Sequence, residues 1–158
     1  MFTGIIQEIG KIINLKQNNG NLDIQIECKK ILKNKKIGDS ISVNGACQTI
    51  TKIRKNYFEI TAIPETIKLT NFKTFKKNDL VNLEGSLKIG DTLDGHFVLG
   101  HIDCTATTIN ERGTGGILTI HKPSALSKYI VHKGSITING VSLTISKVTG
   151  QTFEVSLI

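Results

Sequence analysis

A chain of 158 residues, 39% hydrophobic and 21% charged, has the make-up of a globular protein and length for one domain or two small ones. One domain of this size buries about 70% of its unfolded surface and each half alone only roughly 60%, so two halves would lean on each other or on partner chains. The net charge of +7 raises nucleic acid as a partner, yet Lys33, Lys35, Lys36, Lys52, Arg54, Lys55, Lys73, Lys76 and Lys77 lie in Asn- and Ile-rich segments without interleaved aromatics. That pattern reads as a solvated basic surface, not a stacking platform for single strands.

The opening MFTGIIQEIGK has no basic stretch followed by a long apolar core, so it is not read as a signal peptide, and no apolar run approaches a membrane span. Cys28, Cys47 and Cys104 are an odd number with no CxxC pair, which fits a reduced, intracellular protein and makes the cytoplasm the expected location. A polar turn, QNNGN, is followed by KKILKNKKIG, which holds a turn or two of helix. Strand-like runs then come at ISVNG, QTITKI, YFEITAI and LVNLEGSL, with RKN as a turn between the second and third. Beyond DGHFVLGHID, the turn ERGTGG leads into GILTIH. PSALSKYIVHKG supplies a second short helical stretch, with Ala125, Leu126, Tyr129 and Ile130 on one face. SITING, SLTISKV and TFEVSLI complete the series, the last two separated by TGQ. Short strands with this punctuation predict an all-β sandwich or barrel.

NGACQTIT at 44–51 returns as NGVSLTIS at 139–146. Aligned without a gap, 40–63 and 135–158 share ten identities over 24 positions. Gly4-Ile5-Ile6 corresponds to Gly100-His101-Ile102, one residue out of that register. Such a repeat means two similar β units. Two units are too few for a solenoid, so two small barrels packed together are expected, over 1–90 and 91–158. The first copy runs on beyond Ile63 with PETIKLTNFKTFKKNDLVNLEGSL, whereas the second reaches Ile158, so the second barrel reads as truncated.

Strand alternation puts Cys47, Thr49 and Thr51 on one face and Gln48 and Ile50 on the other. A free cysteine in a strand is commonly a small core residue. Its counterpart Ser142 points instead to a small polar atom repeated on the same face, hence two similar ligand sites. No Cys/His pairing for nucleophilic catalysis is readable. His96 and His101, five apart, face opposite ways in a strand and would not share a metal, and no other cluster has metal-ligand spacing. Each is read as a surface or satisfied core histidine, or, because a glycine stands close before it, as an imidazole facing a pocket. Pro64-Glu65-Thr66 is either a turn capped by its carboxylate or a rigid loop at a barrel mouth. GxSxG, P-loop and GxGxxG motifs are absent.

In order, MFTGII, GDSISVNGACQTIT, PETIKLTNF, VNLE, GHFVLGHID, KGSITINGVSLTIS and SLI resemble the alpha-type riboflavin synthase family over essentially the whole chain. The resemblance implies two Greek-key β-barrels with a following helix, a homotrimer, and no metal or organic cofactor. It implies dismutation of two 6,7-dimethyl-8-ribityllumazine molecules to riboflavin and 5-amino-6-(ribitylamino)uracil. Each barrel would hold one lumazine, with the active site between the N-terminal barrel of one subunit and the C-terminal barrel of a neighbour. The implied N-terminal site comprises Gly4, Ile5, Ile6, Cys47, Gln48, Thr49 and the loop Thr61, Ala62, Ile63, Pro64, Glu65, Thr66. The second comprises Gly100, His101, Ile102, Ser142, Leu143 and Thr144, with Lys133 reaching across the interface. Ser40, Cys47 and His101 take the implied catalytic roles, His101 as a proton carrier because imidazoles change charge near neutral pH. Gln48 stands where the family has leucine, Asn139 where an acidic residue is common, and the chain ends before a second PET-type loop. A non-catalytic lumazine or flavin carrier, or a truncated, inactive synthase, is the alternative expectation.

Overall fold

Alternating apolar and polar side chains build ten strands in the computed structural model, which describes residues 1–109 and 116–157. Apart from its last glycine, the expected ERGTGG turn lies outside the described residues, as does Ile158. Six strands, β1 (Glu8–Asn18), β2 (Asn21–Glu27), β3 (Ser40–Val43), β4 (Ala46–Ile53), β5 (Tyr57–Ala62) and β6 (Leu80–Gly85), close into a barrel in the order β1-β2-β5-β4-β3-β6. This is a Greek-key path: β3, β4 and β5 follow one another through hairpins, and β2 lies beside β5. Ile12, Ile24, Ile26, Ile41, Ile50, Phe58, Ile60 and Leu83 fill its interior at 0% exposure.

The remaining strands, β7 (Ile117–His121), β8 (Ser135–Ile138), β9 (Val141–Val148) and β10 (Thr152–Ser156), form a sheet in the order β7-β10-β9-β8. That order repeats β2-β5-β4-β3, so the duplicated sequence is a duplicated half-barrel. The expected second barrel is, among the described residues, this four-stranded sheet with one further bridge, Thr108 to Ile120. Ile120, Ile145, Phe153 and Val155 form its buried core. β3 is flanked by both β4 and β6, whereas β8 pairs with β9 alone among the described residues. Ile41 and Val43 on β3 are therefore sealed, while their counterparts Ile136 and Ile138 on β8 are only half-buried.

Two strands fall outside the sequence-predicted runs. β2, NLDIQIE, alternates cleanly in burial and was legible in principle. β1 carries a register shift between Ile12 and Asn14 that breaks the period of two, as a bulge does. Residues 29–38 form hydrogen-bonded turns, not a regular helix, and the Glu8 carboxylate accepts the backbone N–H groups of Lys29, Lys30 and Ile31. The expected apolar face of 123–134 also changes, because Ser124–Tyr129 is a 3-10 helix with three residues per turn. Leu126 and Ile130 pack on the second core, while Ala125 and Tyr129 are exposed. No helix among the described residues is long and apolar enough to cross a membrane.

The unequal sealing of the two copies predicts unequal costs for equivalent truncations. Ile41→Ala should cost about 2–5 kcal/mol, the range for a filled core site, and Ile136→Ala less than half as much. Urea unfolding of both variants checks this, and equal losses would contradict it.

Candidate functional site

The two NG repeats are two-residue hairpin turns. Asn44 (φ 48°) and Gly45 (φ 88°) join β3 to β4, and Asn139 (φ 47°) and Gly140 (φ 83°) join β8 to β9. Positive φ at both positions is what a type I′ turn requires, and Asn-Gly supplies it cheaply. The turns meet backbone to backbone: a Cβ on Gly45 would stand 2.9 Å from the Gly140 nitrogen, and one on Gly140 2.8 Å from the Gly45 nitrogen. Asn82 of β6 clamps the pair, donating its backbone N–H to Asn44 Oδ1 (2.8 Å) and its Nδ2 to the Asn139 carbonyl (2.9 Å).

Around this contact the segments leading into the two halves cross over. Phe2 and Val98 exchange backbone hydrogen bonds at 2.8 and 3.0 Å. The Ser142 N–H then donates to the Gly4 carbonyl at 2.7 Å, and the Cys47 N–H to the Gly100 carbonyl at 2.8 Å. Both glycines have left-handed backbone (φ 80° and 82°), and a Cβ would lie 2.7 Å from Ser142 Cβ or 2.6 Å from Cys47 Cβ respectively. The grouping expected from sequence is thereby corrected. Gly4, beginning the Gly4–Ile6 segment, lies on the second half beside Ser142, whereas Gly100, beginning Gly100–Ile102, lies on the first beside Cys47. Parallel copies had suggested that each segment serves its own barrel, but each instead covers the other one.

Under each crossed segment lies a polar stripe. Ser40 pairs with Thr49 and Ser42 with Cys47 across β3–β4, so the four share one face, while Gln48, Ala46 and Ile50 turn inward and are buried. Gln48 Nε2 donates to the Cys47 carbonyl at 2.7 Å. Across β8–β9 the same register pairs Ser135 with Thr144 and Thr137 with Ser142. Leu143 faces the second core. Thr61 and Ala62 end β5, which runs antiparallel to β4 with Ile60 opposite Ile50, so Ile63 is brought towards the Cys47 end. The Thr61 hydroxyl donates to Asp23 Oδ1 at 2.6 Å. The expected loop at Pro64–Thr66 is corrected to the first turn of α1 (Pro64–Leu69), because proline at the first helical position loses no hydrogen bond and Glu65 favours the helix start. Ile102 packs on the first core, Ile6 is half-buried, and Ile5, His101 and Lys133 are exposed.

Two participants, Phe2 and Glu84, are not singled out by the sequence, and a third, His96, reads there only as one of two histidines able to face a pocket. Phe2 is fully buried and its ring lies under Gly100. Glu84, 2% exposed, accepts from the Thr3 backbone N–H (2.7 Å), the Thr3 hydroxyl (2.7 Å) and the Gly4 N–H (3.0 Å), pinning the first crossed segment to β6. His96, not His101, is the engaged imidazole: Nδ1 lies 2.7 Å from Ser142 Oγ and Nε2 3.0 Å from Thr137 Oγ1. The cysteines divide by environment. Cys28 is buried, and desolvation, aided by Glu8 and Glu27, pushes its thiol up to about 12, whereas Cys47 is half-exposed beside the Gly100 carbonyl. Among the described residues no three His, Cys, Asp or Glu side chains gather where a metal could be held. A surface cavity of about 490 Å³ lined by His121, Lys122 and Gln151 lies at the far end of β9 from Ser142.

A closed barrel and a half-barrel sheet, each presenting a small polar stripe under a glycine-bearing strap, define a tandem of two related β units with two candidate ligand sites. Residues 3–86 and 99–158 each match the lumazine binding domain. The chain is 43% identical to riboflavin synthase from Bacillus subtilis (strain 168), covering 100% of this chain and 74% of that one. It is 37% identical to riboflavin synthase from Schizosaccharomyces pombe, covering 100% of this chain and 78% of that one. The fold superposes on the crystal structure of LumP complexed with riboflavin at a TM-score of 0.89 and 28% identity, covering 98% of this chain and 85% of that chain. LumP complexed with 6,7-dimethyl-8-(1'-D-ribityl) lumazine gives 0.86 at the same identity. The chain belongs to the riboflavin synthase family of lumazine-binding proteins.

Burial lowers the His96 pKa below its ordinary 6.5. Between the two values the unfolded chain binds the proton and the folded chain does not, so stability rises with pH. This contribution is complete above about pH 6.5 and lost as pH falls through the lowered folded value. The difference in unfolding free energy between the native chain and His96→Gln should therefore shrink on mild acidification, and a pH-independent difference would contradict it.

Proposed function

We propose that this protein is a riboflavin synthase, a transferase that dismutates two molecules of 6,7-dimethyl-8-ribityllumazine to riboflavin and 5-amino-6-(ribitylamino)uracil. One lumazine gives up a four-carbon unit and the other receives it. The observation that carries this reading is the pairing of two homologous polar stripes, Ser40–Ser42–Cys47–Thr49 and Ser135–Thr137–Ser142–Thr144, each under its own glycine strap. A reaction between two copies of one substrate calls for two copies of one site. Donor and acceptor play different parts, and cysteine at one stripe against serine at the other differentiates them.

Most of the work is positional. Holding two rings in a reactive orientation supplies roughly 7–11 kcal/mol in favourable cases. Fixed dipoles such as the stripe hydroxyls then favour negative charge developing on the ring system once the acidic 7-methyl proton leaves. Ser40, Cys47 and His101 take the more catalytic roles, with His101 carrying protons. Gly4–Ile6, Cys47, Thr49, Thr61–Thr66, Gly100–Ile102, Ser142 and Thr144 contact substrate, Gln48 and Leu143 contribute main chain alone because their side chains turn into the two cores, and Lys133 reaches a neighbouring subunit. A cytoplasmic homotrimer, in which the first site of one subunit meets the second site of the next, completes the reading. The exposed Ile5, Phe97 and Leu99 beside the crossed segments support such an assembly. No metal or organic cofactor takes part.

The likeness to LumP favours one other reading, a carrier that binds lumazine or flavin through the closed barrel without chemistry. Incubation with 6,7-dimethyl-8-ribityllumazine separates the two. The synthase yields one riboflavin per two lumazines consumed, whereas a shifted lumazine fluorescence without riboflavin identifies the carrier. His101→Gln should lower turnover about 10²–10⁴-fold, the scale of general acid–base catalysis, with lumazine affinity little changed. Equal losses in rate and affinity would assign His101 to binding alone.

A further inference from the structure

Building on the synthase reading, we propose that His96 is a positioning residue of the second lumazine site, orienting the Ser142 hydroxyl toward the bound ring. His96 lies in the connector between the halves, yet both ring nitrogens are engaged by one cross-strand pair of the second stripe: Nδ1 with Ser142 Oγ at 2.7 Å and Nε2 with Thr137 Oγ1 at 3.0 Å. Its backbone N–H donates to the Thr3 carbonyl at 3.0 Å, which ties the connector to the crossed N-terminal segment. Gly95 makes this approach feasible, since a Cβ there would overlap the Thr3 carbonyl and stand 3.1 Å from Ser142 Oγ.

A serine hydroxyl rotates to suit its surroundings unless something fixes it. A neutral imidazole carries one donor and one acceptor nitrogen, so the relay Ser142–His96–Thr137 has only two orderings. With Nδ1–H donating, Ser142 keeps its O–H for a ring carbonyl of the ligand. With Nδ1 accepting, Ser142 offers lone pairs to a ring N–H. Either way the hydroxyl has one defined job. At the first site the matching pair is Ser42 with Cys47, covered by the Gly100 carbonyl. One scaffold thus presents a polar atom held by an imidazole in one copy and a thiol in the other, a physical basis for unlike roles for two identical substrates.

The test is a titration of the full chain and its variants with 6,7-dimethyl-8-ribityllumazine, resolving two sites per chain. His96→Ala should weaken one site about tenfold, the worth of one ordered hydrogen bond, and leave the other within about twofold. His96→Asn, whose amide reaches the Nδ1 position, should restore part of the loss, while His96→Gln, which reaches only the Nε2 position, should not. In a double-mutant cycle with Ser142→Ala the two losses should fail to add. Equal weakening of both sites, equal rescue by Asn and Gln, or strict additivity would overturn the inference. Should these variants not fold, the ¹⁵N shifts of His96 in the native chain decide: they should move when lumazine binds, and fixed shifts would show a purely structural histidine. No lumazine binding by the native chain would overturn the synthase reading, and this inference with it.

Discussion

Everything at the candidate sites depends on two Asn-Gly turns meeting backbone to backbone. Gly45 and Gly140 approach so closely that neither tolerates a side chain, and this contact sets the spacing between the halves. Given that spacing, the strap entering each half reaches over to the other, and the Gly4 and Gly100 carbonyls find Ser142 and Cys47. The glycines at 4, 45, 100 and 140 thus serve one purpose, allowing four stretches of main chain to pass one another at hydrogen-bonding distance. Glu84 fixes one of those stretches through three hydrogen bonds to a buried carboxylate, the kind of charge-assisted contact that holds geometry well.

Crossing has a functional corollary. A site built by one half alone could be tuned by that half alone. Here each stripe is roofed by the other half, so the geometry of each candidate site depends on the integrity of both. Duplication supplied two scaffolds, and exchange of straps made them interdependent. The differences between copies are then small and local: Cys47 against Ser142, Ser42 against Thr137, and the imidazole of His96 over the second stripe only.

Much of this was legible in the sequence. The β3–β4–β5 unit and its repeat stood out because alternation, an Asn-Gly turn and ten shared identities agree. β1 escaped because its bulge interrupts the period of two, and α1 because Pro64-Glu65-Thr66 reads as a turn or a rigid loop, although proline and glutamate suit a helix start as well. The direction of the straps was not legible. Gly4-Ile5-Ile6 and Gly100-His101-Ile102 look like equivalent parts of equivalent barrels, and only the packing of Gly45 on Gly140 decides which stripe each covers. The choice between His96 and His101 was hidden for a similar reason. Both have a glycine immediately before them, and the hydroxyls that engage His96 come from Thr137 and Ser142, far along the chain. Long-range partners leave no local pattern.

The closure of the first barrel also imposes an order of events on folding. The hairpins β3–β4, β4–β5, β8–β9 and β9–β10 join neighbours in sequence and can form early, whereas β1 must find β6, with Glu8 opposite Leu83, across nearly the whole first half. Contacts that close such long loops are slow to form. Glu84 lies on β6, and the strap it holds leads directly into β1, so the Glu84 clamp on that strap closes only with the slow ladder. The Ser142 stripe, assembled from fast local hairpins, therefore takes the buried-carboxylate anchor of its roof from the slow closure of a barrel to which it does not belong.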